Sequence, residues 1–108
     1  MNLKSSQIGL NLLKKIIMND KQKEALLILQ EECAEVIQAA CKISRFGVES
    51  RWPTEESGTT LEELQMEIGQ TLAMIDILTE QGVLNTEAMN AAREHKKIKL
   101  KTWSSIFK

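Results

Sequence analysis

The chain has one histidine and two cysteines among its 108 residues, and each shortage removes a class of function. His95 stands in no Glu-x-x-His motif, so the di-iron carboxylate centre of helical bundles is excluded on residue type. With no partner at ligand spacing, His95 reads as a surface residue. Cys33 and Cys41 fall on one predicted helix, where a rise of ~1.5 Å per residue separates them by roughly 12 Å, too far to bridge. A reduced, cytoplasmic protein is the expectation. Neither an apolar core of signal-peptide type nor a run of roughly 20 apolar residues occurs, so secretion and membrane insertion are not expected. Fourteen basic side chains against fifteen acidic ones leave a net charge of -1, which gives no whole-protein attraction for nucleic acid or membrane. Any electrostatic function must be local.

What is present reads as helix. A hydrophobic content of 43% over this length fits one domain spanning residues 1–108, with a core completed by pairing with other copies. Ile8, Leu12 and Ile16 place a weak first helix over about Ser5 to Met18. Asn19 with Gln22 forms a capping box for a second and stronger helix, which runs to Arg45 or Phe46 before Gly47. Residues 47–59 have neither helical nor alternating apolar period and read as a loop. Thr60-x-x-Glu63 is a capping box for a third helix closed by Gly82, and Asn85 or Thr86 caps a fourth that runs to about Trp103. The fold class expected is all-α, a four-helix bundle.

Acidic residues recur on two of these helices at bundle spacing. At 100° per residue, Glu31, Glu32, Glu35, Gln38, Lys42 and Arg45 form a polar stripe on the second helix. Leu26, Leu29, Cys33, Val36, Ile37, Ala40 and Ile43 form the packing side. The third helix repeats the pattern, with Glu63, Glu67 and Gln70 on one stripe and Leu64, Ile68, Leu72, Ile75 and Leu78 largely elsewhere. A solvated charged face is the ordinary explanation of one such stripe; two that match on antiparallel neighbours point to convergence of Glu32, Glu35, Glu67 and Gln70 on a shared site. Crowded carboxylates repel unless neutralised, and hard oxygen donors without imidazole favour Mg²⁺, or Mn²⁺ in its place, over zinc.

The run Glu31-Glu32-Cys33-Ala34-Glu35, the following Arg45-Phe46-Gly47, Glu67-Ile68-Gly69-Gln70 and the closing Ala92-Arg93-Glu94-His95-Lys96-Lys97 to Trp103-Ser104 together resemble the MazG-like nucleoside triphosphate pyrophosphohydrolases, in particular the small phage and bacterial type. The resemblance covers roughly residues 20 to 105. It implies an all-α pyrophosphatase fold assembled as a homodimer or homotetramer. It further implies Mg²⁺-dependent hydrolysis of nucleoside or deoxynucleoside triphosphates to the monophosphate and pyrophosphate. The family pattern is E-x-x-E followed by E-x-x-D; Glu32, Glu35 and Glu67 match it, and Gln70 stands where the family has Asp. Gln offers one neutral carbonyl oxygen in place of a charged carboxylate. The resemblance therefore implies Glu32, Glu35 and Glu67 as metal ligands, Gln70 as a weak ligand, and Glu31 as ligand or base, with Glu31 and Glu32 the catalytic pair.

For substrate contact the candidates are Lys42, Arg45, Lys96 and Trp52. Lys42 and Arg45 are equally good partners of a helix C-terminus, and the basic run Arg93, Lys96, Lys97, Lys99 and Lys101 reads first as a solvated face. Trp52 either stacks on a base or caps the core, and Trp103 is expected to pack the end of the last helix. Met66, Met74 and Met89 fit core or subunit-interface packing. Three functions remain open: an active pyrophosphohydrolase, an attenuated one because of Gln70, and a helical module that binds nucleotide or a partner without turnover.

Overall fold

The computed structural model describes residue 17 onward, apart from Trp52, and the described residues are all-helical with three helices and no strands. We number them α1 (Asp20–Phe46), α2 (Thr60–Glu80) and α3 (Thr86–Trp103). The expected first helix falls almost wholly outside the described residues, and Ile17 and Met18, its expected end, are not helical. Among the described residues no helix is long and apolar enough to cross a membrane.

α1 begins where the sequence predicts it. The Asn19 side chain accepts from the Gln22 N–H at 2.8 Å, and the Asn19 N–H donates to Gln22 Oε1 at 2.9 Å, which satisfies two orphan donors reciprocally. Gly47, at φ 86°, ends the helix in the left-handed region and donates its N–H to the Ile43 carbonyl. At α2 the cap lies one residue earlier than expected. Thr59, not Thr60, accepts from the Glu62 N–H, because Thr60 is drawn inward: its hydroxyl donates to the Gly47 carbonyl and its N–H to the Ser50 carbonyl. These bonds, an antiparallel bridge between Arg51 and Thr59, and the Arg51 guanidinium on the Ser57 carbonyl at 2.7 Å tie together the described residues of the connection between the two helices. Asn85 caps α3 by accepting from the Ala88 N–H.

α1 and α2 form an antiparallel hairpin. Lys42 near the end of α1 meets Glu63 near the start of α2, and Gln22 at the start of α1 donates to the Gln81 carbonyl past the end of α2. Ala25 and Ala39 on α1 and Leu78 on α2 are buried between them, and the two alanines let the helices approach closely. Cys33, Ile37 and Ala40, expected on the packing side of α1, are exposed, Ile37 by 64%. Glu32 instead lies in register with Ala25 and Ala39, toward α2. Ile68 and Leu72 on α2 are likewise exposed, and Trp103 is 80% exposed rather than packed. Met74 and Met89 are half-buried and Met66 is exposed.

α3 leaves the hairpin instead of packing along it. Gly82, at φ 78°, turns the chain, and the Val83 and Leu84 N–H groups both donate to the Leu78 carbonyl. The radius of gyration is 18.8 Å, against about 13 Å for a compact chain of this length. The principal extents are 62 × 40 × 17 Å, so the molecule is a thin layer of helices. A four-helix bundle is not closed within the described residues.

Candidate metal centre

The hairpin brings Glu32 and Glu35 of α1 onto Glu67 of α2, with one carboxylate oxygen from each lying within 4.8 Å of the others. Each is placed by its helix. Glu32 and Glu35 are one turn apart, and the antiparallel register fixed by the Lys42–Glu63 and Gln22–Gln81 contacts sets Glu67 opposite them. Glu67 is only 8% exposed, Glu32 is half-buried and Glu35 is open to solvent. The cluster therefore has a floor in the helix–helix contact and a mouth at Glu35.

Its electrostatics are unfavourable as they stand. Oε2 of Glu32 and Oε2 of Glu67 are buried and accept no hydrogen bond. Unpartnered buried acceptors are costly, and more so when charged. The Glu67 carboxyl is held above its ordinary value of 4.5, first by the hydrogen bond it makes with Glu35 when one of the two carries a proton, then by burial, then by the charges of Glu35, Glu32 and Glu63. When both are ionised there is no proton to share and the oxygens stand unpaired. A small divalent cation answers both defects, since it accepts hard oxygen ligands from buried carboxylates and cancels their repulsion. The donor set fits Mg²⁺ or Mn²⁺ by chemistry.

The remaining candidates sit around this centre or away from it. Gln70 and Glu31 are exposed, and the three-carboxylate group includes neither. The Lys42 ammonium donates to Glu63 Oε1 at 2.8 Å, on the same side of the hairpin as Glu35. Arg45 lies with its guanidinium carbon 4.8 Å from the centre of the Phe46 ring, a cation–π contact at the end of α1. Lys96 is exposed on α3, which does not pack on the hairpin, so its own chain does not bring it to the cluster. Trp52 lies outside the described residues. His95 is exposed, as expected.

Glu63 is the participant that sequence reasoning set aside. It stands on the expected acidic stripe of α2 with Glu67 and Gln70 but outside the expected ligand set. Its spacing of four before Glu67, and of twenty-one from Lys42 across the hairpin, is the signal that places it beside the cluster as the partner of a cation.

In comparisons with models of known protein families, with curated proteins and with solved structures, the chain matches none.

Proposed function

We propose that this chain is a Mg²⁺-dependent nucleoside triphosphate pyrophosphohydrolase of the MazG-like type, cleaving a nucleoside or deoxynucleoside triphosphate to the monophosphate and pyrophosphate. The observation that carries the reading is the meeting of Glu32, Glu35 and Glu67 within 4.8 Å, with two buried carboxylate oxygens left without partners. A metal held there would neutralise phosphate charge and make bound water more acidic. Glu32, Glu35 and Glu67 are its ligands, and the exposure of Glu35 marks the side from which phosphates enter. Glu31, one residue before Glu32 and in solvent, is the group to accept the proton of the attacking water. That water supplies the oxygen to one phosphorus as the bond between the first and second phosphates breaks, so nucleotide and pyrophosphate leave as separate products. Phosphate contact falls to Lys42 and Arg45, at the C-terminal end of α1, and not to Lys96 of the same chain.

Gln70 favours a second reading. It is exposed on the stripe of Glu63 and Glu67 but adds no charge, so the centre holds three carboxylates where the E-x-x-E, E-x-x-D pattern supplies four. An attenuated enzyme, or a nucleotide-binding module of the same fold, follows if three are too few. Glu35→Ala and Glu67→Ala decide the main point: each should abolish Mg²⁺-dependent turnover while the helical content is kept. Undiminished turnover in both would remove the ligand assignment.

A further inference from the structure

Among the described residues, Lys42 and Glu63 form an ion pair that crosses from α1 to α2 beside the acidic centre. Its place follows from helical spacing. Lys42 lies seven residues after Glu35 on the same line of α1, and Glu63 lies one turn before Glu67 on α2. Because the helices run antiparallel, both steps lead toward the end of the hairpin at Gly47. The ammonium and the carboxylate meet there at 2.8 Å, on the face where Glu35 opens. The register at this end is already held without them: Thr60 bonds to the Gly47 and Ser50 carbonyls, and the Leu61 N–H donates to the Val48 carbonyl. Glu63 also works against the cluster, since its charge helps to hold the Glu67 carboxyl above its ordinary value. With both side chains about a third exposed, the pair adds little stability to offset that repulsion. Its plain effect is to keep an anion on Lys42 while the site is empty.

Phosphate is the anion that competes for that place. A polyphosphate chain anchored on a metal at Glu32, Glu35 and Glu67 brings further phosphate oxygens to the same face, where Lys42 meets them. Two contacts on one ligand make the second effectively intramolecular, so an anchored chain presents phosphate to Lys42 at a local concentration that a dilute free anion does not reach. A Lys ammonium takes phosphate as a point-charge partner, and phosphate carries more charge than a carboxylate. The screened pair is weak enough for such a chain to open it, whereas free anions leave it closed. Once the anchor is lost, Glu63 is again the nearest anion and the pair closes.

We propose that Glu63 is an internal stand-in for phosphate: it holds the Lys42 ammonium in the empty site, is displaced by a metal-anchored polyphosphate, and by taking Lys42 back weakens the hold on the phosphate product. The proposal rests on the Mg²⁺ centre put forward above and names the residue that limits how tightly that centre keeps phosphate. Isothermal titration calorimetry of the full chain with inorganic tripolyphosphate at saturating Mg²⁺ tests it, since this probe carries the phosphates and no base. Lys42→Gln should weaken binding by at least about fivefold. Glu63→Gln should tighten it by about threefold to fivefold, the scale of a screened pair and a direction that damage to the fold does not produce. Lys42→Gln combined with Glu63→Gln should match Lys42→Gln alone to within about twofold, because Glu63 acts through Lys42. Equal or weaker binding by Glu63→Gln would overturn the proposal. So would a tightening that persists without Lys42, which would make Glu63 a repelling charge and not a competitor. No binding by the parent would overturn it together with the phosphate contact assigned to Lys42. Nucleotide turnover does not enter these measurements, so failure of the hydrolase reading shows separately, as absent pyrophosphate release from a parent chain that still binds Mg²⁺ and tripolyphosphate.

Discussion

The Lys42 ammonium and the Glu63 carboxylate meet at 2.8 Å across the hairpin and join the later part of α1 to the first turn of α2. Both side chains are about a third exposed, so water screens the pair, and its worth to stability is about 1 kcal/mol or less. The contact matters more for position. It keeps a cation on the face where Glu35 opens and draws Glu63, which repels Glu67, toward a countercharge.

Glu63→Gln should therefore cost at most about 1 kcal/mol by urea denaturation. It should also lower the pH at which Glu67 ionises, because one of the charges raising it is gone. Carbon-13 NMR of the glutamate carboxyls reads the second effect; an unmoved Glu67 would show that Glu63 does not reach it.

The raised Glu67 value adds one pH-dependent contribution to the stability of the metal-free protein. Between the ordinary 4.5 and the higher folded value, the folded state holds a proton that the unfolded state has released. Unfolding free energy then falls as pH rises, since its slope follows protons bound unfolded minus protons bound folded. Thermal unfolding in EDTA should show Tm declining as pH climbs from 4.5 through that value, and Glu67→Gln should flatten the decline. A pH dependence of Tm that is the same in the parent and in Glu67→Gln would contradict the account of the cluster.

Addition of Mg²⁺ should reverse that penalty. A ligand bound only by the folded state adds about 2.7 kcal/mol at a hundredfold excess over Kd. Tm of the parent chain at neutral pH should rise on titration with Mg²⁺, and in Glu67→Gln it should start higher and stay flat. Equal Mg²⁺ shifts in both proteins would place the ion elsewhere.

Ala39 is fully buried where α1 meets α2. Ala39→Leu should push the helices apart and lower stability by about 1–3 kcal/mol. Because the shift also separates Glu32 and Glu35 from Glu67, the Mg²⁺-induced rise in Tm should shrink as well; an unchanged rise would mean that the cluster does not depend on this contact.

Local signals in the chain were legible because local physics decides them. The Asn19–Gln22 box, Gly47, Asn85 and the helical period place three helices to within a residue or two, and the E-x-x-E spacing puts Glu32 and Glu35 one turn apart where they meet Glu67. The Thr59 cap was missed by one position because Thr60 is engaged by Gly47, a contact across the loop that no local pattern encodes. Assigning Cys33, Ile37 and Ala40 to the core failed for a different reason. An apolar stripe states that something must cover it, and within the described residues nothing does. Lys96, a candidate phosphate contact from the basic run of α3, is exposed on a helix that does not pack along its own hairpin.

Gln70→Asp separates the two readings of the centre. It adds a charged oxygen ligand one turn beyond Glu67, so it should tighten Mg²⁺ binding and raise turnover by one to two orders of magnitude, about 1.4–2.8 kcal/mol in the barrier. A neutral or harmful effect would mean that Gln70 does not border the metal.

The central claim is met most directly by pyrophosphate release from the full chain across a panel of nucleoside and deoxynucleoside triphosphates, with Mg²⁺ and then with EDTA. The account predicts release that requires Mg²⁺, matches the monophosphate formed mole for mole, and disappears in Glu35→Ala and Glu67→Ala. Absence of pyrophosphate with every nucleotide, in the parent chain and in Gln70→Asp alike, would contradict it.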